Sequence, residues 1–386
     1  MFHIKPLNNI AACGLDLFRK DAYTVSQDCD NPDGIILRSF SMHEMELPEN
    51  LKAIGRAGAG VNNIPVDKCT EQGIVVFNTP GANANAVKEL VITGILLASR
   101  KVVDGINWAK TLEGNGADVA KMVEKGKSSF VGPEVEGKTL AVIGLGAIGA
   151  MVANTAYAIG MNVVGYDPYL SVKAALSLSR HVQVVNTLEE ALQKADYITL
   201  HVPLLDSTKN MINAAAISNM KDGARLLNFA RGGLVDNAAV GAALEEGKVA
   251  VYVTDFPSDE VLSMKNVIPI PHLGASTPES EDNCAVMAAK ELIDFLENGN
   301  VVNSVNFPNC ESQRAGVMRI TVVHKNVPNM LSQFLGLLQD KNVENMVNKN
   351  KGDAAYTIID TAVEVAEDII EKLRAIEGVL RVRVIR

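Results

Sequence analysis

Between Thr139 and Asp167 the chain reads TLAVIGLGAIGAMVANTAYAIGMNVVGYD, and no other stretch restricts the fold as much. Residues 140–143 are a short apolar run of strand type, and Gly144, Gly146 and Gly149 then fall at G-x-G-x-x-G spacing where a helical pattern begins. The first glycine permits a tight turn. The second lets backbone approach a pyrophosphate, and the third lets the helix pack closely on the strand. Phosphates would rest on the helix N-terminus, where unpaired N–H groups and the macrodipole favour anions. The helical period runs through Met151, Val152, Thr155, Ala156 and Ile159, Gly160 stops it, and 162–166 form a second strand. Asp167 ends that strand, about 20 residues past the glycines, where a carboxylate accepts from a ribose 2′-hydroxyl and repels a 2′-phosphate. The stretch predicts a βαβ dinucleotide site that prefers NAD to NADP.

At 386 residues the chain is long enough for two or three domains, and 47% hydrophobic with 21% charged residues is ordinary for a globular protein. A net charge of −9 with no basic tract argues against nucleic acid as a partner, so anionic ligands must be held by a few placed arginines or helix ends. The opening MFHIKPLNNI lacks the pattern of a signal peptide, and no apolar run approaches the ~18 residues that span a bilayer. These features predict a cytoplasmic protein with no membrane partner. Cys13, Cys29, Cys69, Cys284 and Cys310 are odd in number and scattered without C-x-x-C spacing, which predicts reduced thiols and no metal site.

Before the nucleotide stretch, strands are expected at 35–37, 51–55 and 74–77 with a helix at 66–72. The cluster GRAGAGV at 55–61 follows an apolar strand; it reads either as an anion-binding nest beside Asn62 and Asn63 or as a plain strand-to-helix turn. An amphipathic helix at 85–101 leads through a polar stretch at 113–138, where the domain crossover is placed. Strands at 197–202, 225–229, 249–255 and 267–270 alternate with helices from about 214 and at 238–246, the pattern of a parallel doubly wound sheet. Pro278 opens a long helix to 297. After the linker 306–313, the tail reads strand 319–323, helix 329–339, strands 343–347 and 356–360, helix 363–376 and strand 380–385, which is βαββαβ. The expected fold is α/β: two Rossmann-like doubly wound domains, one from 1–97 with 278–306 and an NAD-binding one from 98–277, plus a ferredoxin-like module at 314–386.

Three polar residues fall at successive strand ends of the nucleotide domain: Arg231 in NFARGG, Glu260 in TDFPSDE and His272 in PHLGAST. A guanidinium grips a carboxylate bidentately, an imidazole takes the proton of an alcohol as its hydride leaves, and a carboxylate orients that imidazole. Each also has a plainer reading: loop charge, solvated surface, capping residue. The remaining histidines His3, His43 and His181 read as surface residues.

GLGAIG with Asp167, LHVPLLDSTKNMIN, NFARGGLVD, PHLGAST and IGRAGAGVNNIPVDKCTEQGIVVFNTPGAN occur in this order. Together they resemble the D-isomer-specific 2-hydroxyacid dehydrogenases over essentially the whole chain. The resemblance implies Arg231, Glu260 and His272 as the catalytic set, and NAD contacts at Ala147, Ile148, Asp167, His201, Pro203, Phe229, Ala230, Asp255 and Gly274. Gly58, Gly60, Val61 and Asn62 fall where the family holds the substrate carboxylate, and Arg38 matches the arginine that its phosphoglycerate-oxidising members direct at the phosphate. The implied reaction is NAD-dependent oxidation of 3-phospho-D-glycerate to 3-phosphohydroxypyruvate, the first step of L-serine biosynthesis. The alternatives are oxidation of erythronate 4-phosphate or 2-hydroxyglutarate, and a non-catalytic NAD sensor. The partner is thus a small phosphorylated 2-hydroxy acid, and a homo-oligomer, dimer or tetramer, is expected.

The tail resembles an ACT domain in the compact form, without an intervening domain. Two departures stand out. The family's Asp-Val-Phe is Asp255-Phe256-Pro257 here, with the spacing to Glu260 kept. In the serine-binding turn H-x-N-x-P-G, His324, Asn326 and Pro328 fit but Asn329 replaces glycine, and the later asparagine falls on Glu344 or, one residue on, Asn345. A side chain at the glycine position obstructs close backbone approach, so serine is expected to inhibit weakly or not at all, with the module serving mainly as an oligomer contact.

Overall fold

The structure, a computed structural model, describes residues 1–386 apart from the side chain of Lys173. Residues 1–82 with 278–386 form one compact unit and residues 83–277 the other. The first unit holds a parallel sheet of β1 (Phe2–Leu7), β2 (Tyr23–Val25), β3 (Gly34–Leu37), β4 (Ala53–Arg56) and β5 (Val75–Asn78), in the order β2-β1-β3-β4-β5. β3 is buried at every position, as a parallel strand covered on both faces must be. Helix Pro278–Asn298 covers one face with Ala285, Ala288, Leu292 and Phe295. It comes close because β4 carries Gly55, where a Cβ would lie 3.0 Å from Leu292.

In the second unit β6 (Thr139–Ile143), β7 (Asn162–Tyr166), β8 (Gln183–Val184), β9 (Tyr197–Leu200), β10 (Ala224–Asn228), β11 (Val249–Thr254) and β12 (Val267–Pro269) form a parallel sheet in the order β12-β11-β10-β9-β6-β7-β8. The order reverses between β6 and β9, and the crevice at that reversal lies off the carboxyl ends of the strands. Helix Ala84–Ser99 is pinned to this sheet at its end: Ser99 Oγ lies 2.7 Å from Tyr197 Oη, and Arg225 Nε donates to the Ala98 carbonyl at 2.9 Å. The stretch read as polar connection contains helix Val119–Gly126, preceded by helix Val102–Lys110. Its Val119, Met122 and Val123 do repeat at helical spacing, but lysine, glutamate and glycine dilute the pattern. Trp108 and Phe130 meet at 5.2 Å between ring centres and hold the segment together.

The rest of the first unit is an antiparallel sheet of β13 (Met318–Lys325), β14 (Val343–Lys351), β15 (Ala354–Thr361) and β16 (Val379–Ile385), ordered β14-β15-β13-β16, the ferredoxin-like arrangement of an ACT-like module. Helices Met330–Leu337 and Glu367–Arg374 cover one face through Phe334, Ile370 and Leu373. The other face shares a core with the first sheet: Val323, Tyr356 and Ile358 pack in one cluster with Phe77 and Phe295. Polar groups fix this seam. Tyr356 Oη donates to the Gly299 carbonyl at 2.7 Å, and Arg383 donates to the carbonyls of Phe295 (3.0 Å) and Leu296 (2.9 Å). Arg319, fully buried, forks onto Asp360 at 2.6 and 2.7 Å, so its charge is matched where water cannot reach it. Asn329 adopts φ +68°, the left-handed conformation that asparagine tolerates better than most residues, so the turn keeps its backbone path without glycine.

All five cysteines are free. Among the described residues no helix is long and apolar enough to cross a membrane, and no cluster of His, Cys, Asp or Glu could hold a metal ion.

Candidate active site

The nucleotide turn has a different requirement at each glycine. Gly144 has φ +94°, and a Cβ there would lie 2.5 Å from the His201 carbonyl; one at Gly149 would lie 1.9 Å from the Gly144 carbonyl. Gly146 differs: nothing lies within 4 Å of its would-be Cβ, so the space above it is open. Helix Ala147–Ala158 begins there with no side-chain cap, leaving its first-turn amides, Ala147 and Ile148 among them, available to an anion. Asp167 accepts from Leu145 N and Tyr169 N, both at 2.9 Å, which fixes the carboxylate and leaves it lone pairs for a ribose hydroxyl. Past β9, His201 sets Nε2 3.0 Å from Thr199 Oγ1. Withdrawal from solvent pushes its pKa down to about 3, so the ring is neutral where it precedes Pro203.

Asn228, Thr254 and Pro269 are partners in register at the ends of β10, β11 and β12. Residues 229–231, Asp255 and 270–272 therefore leave the sheet at one level, which places Arg231, Asp255 and His272 at neighbouring strand ends. Phe229 is buried, and its ring meets the space a Cβ on Gly94 would take, at 2.8 Å. Ala230 N donates to Asn228 Oδ1, and Arg231 Nη1 donates to the Ala230 carbonyl at 2.6 Å. Asp255 is 1% exposed, and its Oδ1 has no hydrogen-bond partner among the described residues. Burial pushes its pKa up to about 6, against the opposing pull of His272 and Arg231. Its Oδ2 lies 3.6 Å from where Gly274 would carry a Cβ. An orphaned buried acceptor beside a glycine, together with the open turn at Gly146, suits an amide-bearing nicotinamide dinucleotide.

No hydrogen bond or ion pair joins Glu260 to His272 among the described residues. The Glu260 carboxylate accepts from Asn237 Nδ2 at 3.0 Å, and His272 has no hydrogen bond among the described residues; its ring meets Phe256 edge-on at 4.9 Å.

In the first unit, Gly58 has φ +144° and the Arg56 guanidinium lies over it; a Cβ there would be 1.7 Å from Arg56 Nη1. Gly60, Val61 and Asn62 continue the turn, whose Asn62 carbonyl lies 3.0 Å from His43 Nε2. Arg38 follows β3 and pairs with Glu281 at 2.5 Å.

Compared with known proteins, the chain is 32% identical to the D-3-phosphoglycerate dehydrogenase of Haemophilus influenzae over 405 aligned residues, covering 99% of this chain and 95% of that one. The chain belongs to the D-isomer-specific 2-hydroxyacid dehydrogenases. Residues 92–274 match that family's NAD binding domain, so the second unit contains the dehydrogenase nucleotide domain. The D-3-phosphoglycerate dehydrogenase of Methanocaldococcus jannaschii is 37% identical over 82% of this chain, which spans 58% of that protein's length. Among solved structures, the NAD⁺-bound 3-phosphoglycerate dehydrogenase of Entamoeba histolytica superposes with a TM-score of 0.60 at 27% identity, covering 79% of this chain and 98% of that one.

In this dehydrogenase the pairings of the candidate residues are not legible in the sequence. Asn237 as the partner of Glu260, Glu281 as the partner of Arg38 and Phe256 against His272 carry no local signal beyond the altered Asp-Val-Phe.

Proposed function

We propose that this dehydrogenase oxidises 3-phospho-D-glycerate to 3-phosphohydroxypyruvate, supplying L-serine synthesis. The end-to-end match to a phosphoglycerate dehydrogenase carries the reading, and the strand-end register of Arg231 and His272 supports it. Arg231 grips the substrate carboxylate with its planar fork. His272 takes the hydroxyl proton at an imidazole nitrogen, and C2 rehybridises to a carbonyl as its hydrogen departs with two electrons. NAD, when bound, accepts that hydride. Gly144, Gly146, Gly149 and the amides of Ala147 and Ile148 hold its pyrophosphate, Asp167 its ribose, and Asp255 with Gly274 its nicotinamide end; His201, Pro203, Phe229 and Ala230 line it. Glu260 completes the catalytic set. Arg38 recognises the phosphate, while Gly58, Gly60, Val61 and Asn62 offer backbone amides to the carboxylate. The enzyme works in the cytoplasm as a dimer or tetramer.

Purified protein with NAD is assayed for NADH formation on 3-phospho-D-glycerate, erythronate 4-phosphate and D-2-hydroxyglutarate. The highest kcat/KM is expected on the first. A higher value on either other acid, or no NADH from any, refutes the assignment.

A further inference from the structure

Residue 256 separates this chain from its family's Asp-Val-Phe pattern, since the aromatic ring comes one position early and a proline follows it. Proline holds the preceding residue extended, and Phe256 N donates to Thr254 Oγ1 at 3.2 Å. The side chain is thereby aimed. On one side its Cβ lies 3.3 Å from the point where Gly232, next to Arg231, would carry a Cβ. On the other its ring stands at 62° to the His272 ring with centres 4.9 Å apart, an edge-to-face pair that prefers one mutual orientation. No hydrogen bond orients His272 among the described residues, and the carboxylate expected to do so rests on Asn237. Asp255 feels the charge of both Arg231 and His272, and with Arg231 it stands at a strand end neighbouring that of the imidazole. Neither is within hydrogen-bond reach of it.

We propose that Phe256 is a positioning residue for His272, its ring fixing the imidazole's direction by edge-to-face packing between the Arg231 turn and the end of β12. This rests on the reading of His272 as the proton acceptor. Valine, the residue the family pattern has at this position, lacks the ring that makes the contact. A misdirected acceptor slows proton transfer without loosening the dinucleotide, because the 144–149 turn and Asp167 are separate elements. A displacement of about 1 Å at a reacting group can cost about 100-fold in rate.

Four proteins decide it: wild type, Phe256→Ala, Phe256→Leu and Phe256→Tyr, with melting temperature as the check on folding. Phe256→Ala is expected to lower kcat about 10- to 100-fold and raise the solvent isotope effect on kcat, with the Kd for NADH within about twofold of wild type. Tyrosine, which keeps the ring, should restore most of kcat, whereas leucine, which keeps only bulk, should not. Independently of any substrate, the His272 Cε1–H NMR signal of the free protein, assigned with His272→Gln, should lose its ring-current shift in the alanine and leucine variants and keep it in the tyrosine variant. If leucine restores kcat as well as tyrosine does, or the isotope effect stays at the wild-type value, the proposal is overturned. An unmoved His272 signal overturns it as well. Should 3-phosphoglycerate not be the substrate, the kinetic comparison is made on whichever 2-hydroxy acid is, so that failure refutes the substrate assignment and not this contact.

Discussion

Replacing Gly146 by alanine separates binding from folding at one atom. The backbone there has φ −68° and ψ −163°, an extended conformation open to any L-residue, and the added methyl would meet nothing within 4 Å. The fold should be indifferent, and a smaller loss of chain entropy on folding should leave stability unchanged or higher by about 0.4–1 kcal/mol. The open space is, however, where a pyrophosphate approaches the uncapped amides of helix Ala147–Ala158. A methyl there holds the phosphates off by more than a hydrogen bond tolerates. Bonds to a charged group are each worth about 1.5–3 kcal/mol, and 1.4 kcal/mol is a factor of ten, so losing one should weaken NADH binding by about 10- to 100-fold, and losing a second by as much again. Gly149→Ala is the contrast: its Cβ would lie 1.9 Å from the Gly144 carbonyl, backbone that cannot rotate away, so stability and affinity should fall together. Titration calorimetry with NADH and thermal unfolding of both variants test this. A Gly146→Ala protein that binds NADH within twofold of wild type would refute the placement of the pyrophosphate, and one that melts several degrees lower would refute the claim of open space.

Asp167→Ala should narrow the preference for NAD by removing the charge that repels a 2′-phosphate, measured as the ratio of kcat/KM for the two cofactors; a wild type that uses both equally sinks the role. Arg38→Ala should raise KM for 3-phosphoglycerate far more than for an unphosphorylated hydroxy acid, and Glu281→Gln, which frees Arg38 from its partner, should lower it. Glu291 lies in the first unit with Oε1 on Asn303 and Oε2 buried without a partner among the described residues; burial lifts its pKa from 4.5 to about 8. The folded protein therefore holds a proton that the unfolded chain has already released, so stability declines as pH rises from about 4.5 towards about 8, and the penalty is complete above that. Glu291→Gln should remove that slope, so that its melting temperature gains on wild type by a few degrees between about pH 5 and about pH 9, for a discounted ~1–2 kcal/mol. In the ACT-like module, Asn345 Nδ2 is engaged by Ser312 at 2.5 Å and Glu344 accepts from Asn342, so a serine titration should leave activity nearly unchanged; strong inhibition at sub-millimolar serine would refute this.

The nucleotide unit was legible because its signals are local: glycines at fixed spacing, an apolar strand on each side and an acid at the second strand's end. The ferredoxin-like tail was legible for the same reason, by alternation of period. What sequence concealed depends on residues far apart in the chain. Glu260 carries the expected spacing, yet spacing does not show that Asn237 stands within reach of its carboxylate. Arg38 matches a phosphate-directed arginine, yet nothing near IILRSF shows that Glu281 pairs with it. At Asn329 sequence shows that a side chain replaces glycine but not φ; the residue takes the left-handed conformation, which keeps the turn and leaves the expected obstruction of a ligand's approach untouched. Helix Val119–Gly126 was missed because half its length is charge and glycine, and the pairing of Trp108 with Phe130 that steadies its segment involves residues outside it.

The discontinuity of the first unit sets a timetable for the growing chain. Strands β1 to β5 leave the ribosome first, but the helix that covers them starts nearly two hundred residues later, and the sheet that shares their core later still. At about 5–20 residues per second the wait is roughly ten to forty seconds. The second unit is contiguous and has everything it needs once residue 277 is out. During synthesis the contiguous nucleotide unit is thus the first to close, while the early strands β3 and β4, apolar but for Arg56, stay bare. Chaperones that hold nascent chains should find their binding site at residues 34–56, and the need for them ends only when Phe295 and Tyr356 arrive.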